Sequence, residues 1–214
     1  MKSLYYLGTI LLSCLLLFSC SKEMSREGTG PVSTCDYAPY TQGSTFTYLN
    51  FNQAKDSATY TLTVDGDTTI NGNVYKKLRD DSVFMCSGCK DGTYSQVASI
   101  MSFQGFKASD LRLNYLKDFL PAGSVWKDTI TASNGTIATT GVLQYTILGK
   151  GAGKTVNGKA YTDVITVQME AAAIVGGNPV PVGILSTSYY AKGVGLIEAD
   201  QAQDTTILLS YRIN

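Results

Sequence analysis

Thr59-Tyr60-Thr61-Leu62-Thr63-Val64, followed by Asp65-Gly66-Asp67 and then by Asn71-Gly72, decides the fold class of this chain. Polar and apolar side chains alternate over six positions, which is the period of a strand with one face in water and one in a core. Thr45-Phe46-Thr47-Tyr48 and Thr162-Asp163-Val164-Ile165-Thr166-Val167 repeat the pattern. Turn chemistry separates these runs at Asp65-Gly66-Asp67, Asn71-Gly72, Asn134-Gly135, Asn157-Gly158 and Gly176-Gly177-Asn178-Pro179. Asn-Gly and Asp-Gly pairs accept positive φ at low cost, so they close hairpins whose twist matches the strands they join. Helix signals are nearly absent. Only Ala108 to Phe119 fits both periods, since Leu111, Leu113 and Tyr115 alternate while Leu113, Leu116 and Leu120 share a helical face; the strand reading is preferred. The expectation is an all-β fold, an antiparallel meander of about ten strands forming a curved sheet, a sandwich or an incomplete barrel.

The chain also repeats itself in order. Gly43-Ser44-Thr45-Phe46 matches Gly123-Ser124-Val125-Trp126, Tyr60-Thr61-Leu62 matches Tyr145-Thr146-Ile147, and Thr69 to Tyr75 matches Thr155 to Tyr161. The offset drifts by a few residues, as small hairpin-loop insertions would cause. The expectation is two related β-units, residues 35–107 and 108–214, within a single all-β domain over residues 35–214.

Composition narrows the function. Hydrophobic residues make up 44% and charged residues 16%, enough to bury a core and too apolar for disorder. The formal net charge is +0 with no long basic block, so nucleic acid is not an expected partner. The chain has no histidine, which excludes Ser-His-Asp and Cys-His catalysis, His-ligated zinc and a histidine pH switch. Carboxylates are plentiful at Asp80, Asp81, Asp110, Asp118, Asp128, Asp163, Glu170, Glu198 and Asp200, yet none stands out as a pair for acid–base work. Gly151-Ala152-Gly153-Lys154-Thr155 misses the phosphate-loop spacing, because Leu148 occupies the position of the first glycine; it reads as a turn. Asp65-Gly66-Asp67 lacks the further spaced ligands of a calcium loop and reads as a hairpin. No catalytic residue, metal site or cofactor is expected.

The amino terminus supplies an address. Lys2, an apolar run from Leu4 to Phe18, then small Ser19 before Cys20 have the layout of a secretory signal peptide. At 15 residues the run falls short of the roughly 20 that span a bilayer. Leu17-Phe18-Ser19-Cys20 resembles the lipobox of bacterial lipoproteins, in which the cysteine sulfur takes a diacylglyceryl group, residues 1–19 are cut away and the new terminus is acylated. Leu11-Leu12-Ser13-Cys14 competes, but cleavage there would leave an apolar stretch at the new terminus. Cys20 is therefore the expected lipidation site, and acyl chains contributing about 0.8 kcal/mol per buried methylene would anchor the protein to a membrane. Residues 20–34 are polar and aperiodic, a flexible tether with a typical span of about 20 Å.

Ser19-Cys20-Ser21-Lys22-Glu23 is similar to the start of many Bacteroidota lipoproteins. The resemblance extends through Gly43-Ser44-x-aromatic, the Val156-Asn157-Gly158-x-x-Tyr161 hairpin, Leu120-Pro121-x-Gly123-Ser124-x-Trp126 and Tyr189-Tyr190-Ala191-Lys192-Gly193-Val194-Gly195-Leu196-Ile197. It implies an outer-membrane lipoprotein, on the periplasmic or the cell-surface face, since Ser21 is not the aspartate that retains enteric lipoproteins in the inner membrane. It implies no activity and carries over no catalytic residue. In the terminal element, the paired tyrosines alternate across a strand while Gly193 and Gly195 permit a bulge or a close backbone approach.

Three cysteines remain in the folded part: Cys35, Cys86 and Cys89. An exported chain meets an oxidising compartment, so one disulfide and one spare thiol are expected. Cys86-Ser87-Gly88-Cys89 has oxidoreductase spacing, but Lys90-Asp91-Gly92-Thr93 follows as turn then strand, without the helix N-terminus that activates such a pair. Loop-closure entropy favours Cys35 paired with Cys86 or with Cys89 over the short ring.

Ala171 to Leu185 is strongly apolar around Gly-Gly-Asn-Pro. Because Gln168, Glu170, Ser186 and Ser188 alternate beside it, it is expected as a hairpin whose strands lie in the core; exposed, it would be a patch for lipid or a partner. Two functions fit: a non-catalytic, lipid-anchored envelope protein that binds or scaffolds a protein or glycan, or a carrier of apolar molecules or lipids in a cavity lined by Phe46, Phe84, Phe103, Phe106 and Trp126. A carrier needs a cavity above roughly 300 Å³.

Overall fold

The computed structural model describes residues 35–54, 56–80, 84–103, 106–136 and 138–214. Cys14, Cys20, the signal segment and the tether to residue 34 fall outside the described residues, as do Asp81 and the rest of the connection at 81–83.

Among the described residues twelve antiparallel strands follow one another: β1 (Thr45–Asn52), β2 (Ser57–Ile70), β3 (Asn73–Arg79), β4 (Phe84–Lys90), β5 (Thr93–Phe103), β6 (Phe106–Lys117), β7 (Val125–Ser133), β8 (Ala138–Val156), β9 (Lys159–Val175), β10 (Asn178–Ala191), β11 (Gly195–Gln201) and β12 (Asp204–Arg212). Each pairs with its sequence neighbours, and β12 returns to pair with β1, closing a barrel. The all-β expectation holds. The count is twelve rather than about ten, and closure, which the period alone left open, removes the free edges an open sheet would carry.

Two-residue turns with positive φ make the hairpins. Asn71-Gly72 (φ 50 and 76), Asp91-Gly92 (49 and 71), Asn157-Gly158 (47 and 73) and Gly176-Gly177 (57 and 83) all take the paired left-handed conformation of a type I′ turn. Asp65-Gly66-Asp67 does not. It lies inside β2 as a bulge, with Gly66 at φ 78 and a register shift between Val64 and Asp67 opposite β3. Asp65 and Asp67 are held across that ladder by Arg79 (2.8 Å) and Lys76 (2.6 Å). Gly151 likewise sits in a bulged part of β8 at φ 80 rather than in a turn. Ala108–Phe119 falls largely in β6, the strand alternative.

The repeated sequence elements occupy matching places. Gly43 N donates to Val64 O (2.9 Å) and Val64 N to Ser44 O (2.9 Å); Gly123 N donates to Ile147 O (2.8 Å) and Ile147 N to Ser124 O (3.0 Å). Phe46 and Trp126 follow on β1 and β7, both buried, and Tyr75 and Tyr161 follow the two Asn-Gly turns, again both buried. The expected boundary at 107/108 falls inside β6. The β6–β7 ladder is reduced to Lys107 opposite Ser133 among the described residues. Side chains bridge it: Asn114 N and Nδ2 donate to Asp128 Oδ2 (2.7 Å) and Oδ1 (2.9 Å), and Trp126 Nε1 donates to Asn114 O (2.6 Å).

Alternation places the apolar residues inside. Phe46, Tyr48, Leu62, Val64, Leu78 and Leu208 form one buried cluster with Val156, Tyr161, Val164 and Ile197; Tyr94, Leu116, Trp126, Leu143, Tyr145, Ile147, Ile165 and Val167 form the other. Thr45, Thr47, Thr61 and Thr63 stand between the buried residues of β1 and β2, facing outward. The arrangement is the inverse of a membrane barrel, whose apolar side chains face lipid. Among the described residues no helix is long and apolar enough to cross a membrane.

Candidate functional site

The barrel interior is a tyrosine chamber. Tyr40, Tyr48, Tyr60, Tyr115 and Tyr190 surround a cavity of about 90 Å³ together with Leu62, Leu78, Met85, Ser87, Gln96 and Leu196. Tyr48 stacks on Tyr60 and Tyr115 on Tyr190, with centroids 5.6 and 5.4 Å apart. Burial pushes Tyr115 up to about 12, with Ser87 partly offsetting it, and pushes Tyr48 and Tyr190 well above the usual tyrosine range. The hydroxyls are therefore neutral donors and acceptors: Tyr48 OH donates to Leu196 O (3.2 Å), and Tyr115 OH shares a hydrogen bond with Ser87 Oγ (3.2 Å). Tyr145, stacked on Trp126, has a buried hydroxyl without a protein partner.

A cavity of about 90 Å³ lies below the roughly 300 Å³ at which ligand pockets begin. Of the aromatic set expected to line a carrier cavity, Phe84 is exposed and Trp126 is packed on Tyr145, while the side chains of Phe103 and Phe106 lie outside the described residues. The tyrosines that do line the chamber come from β1 (Tyr48), β2 (Tyr60), β6 (Tyr115), β10 (Tyr190) and the segment before β1 (Tyr40). Their number, 14 in the chain, is the signal that points to them. Two wider spaces are open grooves, one of about 750 Å³ along Thr59, Thr61, Thr63, Asp65 and Arg79, the other of about 520 Å³ beside Tyr75, Gly88, Cys89, Ser95 and Arg112.

One end of the barrel is closed by the segment that leads into β1. Cys35 is bonded to Cys89 with a Cα separation of 5.8 Å, one of the two long-loop pairings expected from the sequence. Cys86 remains a buried thiol, its pKa raised by burial against the opposing effect of Lys77, so the Cys86–Cys89 spacing makes no redox pair. Tyr37 N donates to Tyr94 OH (3.1 Å), and Tyr94 OH donates to Asp118 Oδ2 (2.7 Å). Lys150 Nζ donates to the Asp118 carbonyl, while Asp118 Oδ1 is buried without a partner. Asp36 accepts from Gly193 N (2.8 Å) and pairs with Lys192 (3.3 Å). A Cβ at Gly195 would lie 3.4 Å from Tyr40 OH and 3.5 Å from Tyr37 O, so the close backbone approach expected of this glycine is made to the closing segment.

Among the described residues, five of the candidate carboxylates have separate partners, and Asp81 and the Asp110 side chain lie outside the described residues. Asp118 is tied to Tyr94, Asp128 to Asn114, Glu170 to Gln144 (3.2 Å), Glu198 to Lys154 (2.9 Å) and Asp200 to Thr205 (3.1 Å). Lys154, the lysine of the discarded phosphate-loop reading, also lies 3.6 Å from the Tyr189 ring centroid. Among the described residues no group of three or more Cys, Asp or Glu side chains is arranged to hold a metal ion.

The apolar segment 171–185 departs from expectation. It is a hairpin, β9 turning into β10, but its end is not in the core. Residues 175–184 are all exposed, with Val175 at 60%, Val180 at 47%, Val182 at 36% and Ile184 at 52%. The cause is strand length. β10 spans 14 residues and β11 only 7, and their pairing starts at Ser186 opposite Gln201, so residues 178–185 project beyond β11 with one open edge. Over 175–184 both faces of the hairpin therefore meet solvent, while Ala171 and Leu185 still pack against the core.

No family model matches the chain, and no curated protein matches it. Two solved structures are among those that match. One is a provisionally assigned lipoprotein of Parabacteroides distasonis, with 12% identity and a TM-score of 0.52 over 82% of this chain and 98% of that one. The other is an exported protein of Bacteroides fragilis with a YmcC-like fold, with 13% identity and a TM-score of 0.39 over 81% and 97% of the two chains.

Proposed function

We propose that this chain is a lipid-anchored, non-catalytic protein of the bacterial outer membrane that acts by presenting its barrel to a protein or glycan partner. The observation that carries the binding role is where apolar surface remains exposed. The tyrosine-lined chamber holds about 90 Å³, while the β9–β10 projection displays four large apolar side chains to solvent. These side chains leave apolar surface on both faces of the projecting hairpin, and exposed apolar surface marks an interaction site. The lipobox-like Leu17-Phe18-Ser19-Cys20 supports the anchor, and the fold shared with the Parabacteroides distasonis protein accords with it. The non-catalytic reading is supported by the absence of histidine and by the separate engagements of the described carboxylates.

The test is palmitate labelling of the wild type and Cys20→Ala, with and without globomycin, followed by fractionation and protease treatment of whole cells. The wild type is expected to label and to sediment with outer membranes, and Cys20→Ala to lose both. Labelling that survives in Cys20→Ala refutes the anchor. Protection of the wild type from protease in intact cells assigns the periplasmic face.

A further inference from the structure

The groove on the outer face of β3–β6 has a polar floor and a cationic rim. Strand phase fixes which residues meet there. Leu78, Met85, Ser87 and Gln96 line the chamber, so the alternate residues face outward: Tyr75 and Lys77 of β3, Gly88 and Lys90 of β4, Thr93 and Ser95 of β5. The ladder carries the same face to β6, since Lys77 lies opposite Cys86, Cys86 opposite Val97 and Val97 opposite Arg112.

Small residues hollow the middle of this face. Gly88 has no positive φ that would call for glycine; space calls for it, because a Cβ there would lie 2.9 Å from Tyr75 Cδ1 and 3.0 Å from Val74 O. The Tyr75 ring therefore lies down on β4. With Thr93 and Ser95 beside it, the floor stays low beneath the long side chains of Lys90 and Arg112. The space enclosed is about 520 Å³, within the roughly 300–1,000 Å³ of small-molecule sites. Tyr75 and Ser95 are exposed by only 2% and 5% although they face outward, and neither hydroxyl is hydrogen-bonded among the described residues. Polar groups held in a groove without a protein partner are available to a ligand.

The rim charges are also unspent. Lys76 and Arg79 on β3 each pair with an aspartate, whereas Lys77, Lys90 and Arg112 have no ion pair among the described residues. In a chain of formal net charge +0, three such cations around one groove are a local excess. Guanidinium, ammonium and hydroxyl groups are all donors here, and a phosphoryl group, with several acceptor oxygens and negative charge, answers them together.

The order of residues along the groove says what else the ligand carries. From the Arg112 row the groove passes Ser95, then the Lys90–Thr93 pair, and ends at Asp91, about 16 Å further along β4. Asp91 is the one carboxylate lining it, held in the Asp91-Gly92 turn. It repels an anion at that end, so the phosphoryl group belongs over Ser95 between Arg112 and Lys90, and Asp91 is left to accept from hydroxyl groups. The Tyr75 ring is buried, so no aromatic face is open to stack a nucleobase.

We propose that the outer groove of β3–β6 binds a phosphorylated sugar, with Arg112, Lys90 and Ser95 on the phosphoryl group and Asp91 on a sugar hydroxyl. The site is separate from the lipid anchor and from the β9–β10 projection, and its test reads neither.

The test is isothermal titration of the purified full chain in detergent with glucose 1-phosphate, in phosphate-free buffer of low ionic strength. Saturable binding with a Kd below about 1 mM is expected, weakened at least about tenfold by Arg112→Gln and by Lys90→Gln. Lys127→Gln, at an exposed lysine on β7, should leave it unchanged. All three are exposed positions, so the thermal midpoint should be retained. Glucose and glucuronate should bind at least about tenfold more weakly than glucose 1-phosphate. Asp91→Asn should weaken glucose 1-phosphate and leave inorganic phosphate as tight or tighter. No saturation below about 10 mM, an equal loss in Lys127→Gln, or glucuronate bound as tightly as glucose 1-phosphate overturns the proposal. So does Asp91→Asn acting alike on glucose 1-phosphate and inorganic phosphate, which removes the sugar from the site. The methyl ester of glucose 1-phosphate distinguishes the source: tight binding of this diester places the sugar within a glycan, and a tenfold preference for the monoester makes it a free sugar phosphate, the phosphoryl site standing in both.

Discussion

Tyr94→Phe is the most demanding test of how the barrel end is held. The hydroxyl that this change removes is fully buried and serves two groups, accepting from Tyr37 N at 3.1 Å and donating to Asp118 Oδ2 at 2.7 Å. Without it, the Tyr37 N–H is an orphan in a buried site, which costs about 1–3 kcal/mol. Asp118, whose Oδ1 has no partner already, loses the donor on Oδ2, a hydrogen bond to a charged group worth about 1.5–3 kcal/mol. Because one hydroxyl makes both bonds, the expected loss is about 3–5 kcal/mol. At roughly 2–4 °C per kcal/mol for a domain of this size, the midpoint should fall by about 6–20 °C. Urea unfolding followed by near-ultraviolet circular dichroism measures the loss, and a cycle with Asp118→Asn isolates the pair. The double variant should be less destabilised than the sum of the singles by about 0.5–3 kcal/mol. A loss below about 1 kcal/mol for Tyr94→Phe, or strict additivity in the cycle, refutes the claim that this hydroxyl holds the closing segment to the barrel.

Two further expectations follow from the same end of the barrel and from its interior. The Cys35–Cys89 bond closes a separation of 54 residues, so Cys35→Ser/Cys89→Ser should cost about 4 kcal/mol and lower the midpoint by about 8–16 °C. Reductant should lower the wild type by the same amount and leave the double variant unmoved; three free thiols in a mass map of the untreated protein would contradict the pairing. Buried tyrosines set the alkaline limit. Burial raises Tyr37 to about 12 in the folded state, with Asp163, Asp118 and Asp36 adding to the rise, and raises Tyr115 to about 12, against an ordinary value near 10. Between these values the unfolded chain holds fewer protons than the folded one, so stability is fully present below pH 10 and falls as pH rises from about 10 to 12. Urea midpoints at pH 8, 10 and 11.5 should be equal for the first pair and sharply lower at the last; a flat profile to pH 11.5 would show the rings to be solvent-accessible.

Local chemistry determined the class of this protein. Alternation in Thr59–Val64 and Thr162–Val167 requires strands, because a period of two puts every second side chain on one face, and Asn71-Gly72 and Asn157-Gly158 require tight turns, because few other pairs tolerate two successive positive φ values. The matching Gly-Ser starts at Gly43 and Gly123 were legible for the same reason, since each fixes a particular backbone geometry. Asp65-Gly66-Asp67 shows where this reasoning stops: a glycine with positive φ serves a bulge as readily as a turn, and only the partner strand decides which.

What lay beyond the sequence was everything set by strands distant along the chain. Closure depends on β12 meeting β1, and the tyrosine chamber on side chains brought together from β1, β2, β6 and β10; neither leaves a local trace. Cysteine spacing admitted Cys86 or Cys89 as the partner of Cys35, and the choice fell to Cys89 because it ends β4 beside the closing segment while Cys86 sits buried within the strand. The exposed end of the β9–β10 hairpin is the clearest case. Val180 and Ile184 look like core residues by their chemistry, and they stand in solvent because β10 outruns β11 by half its length, a mismatch between neighbours that no reading of either strand alone contains.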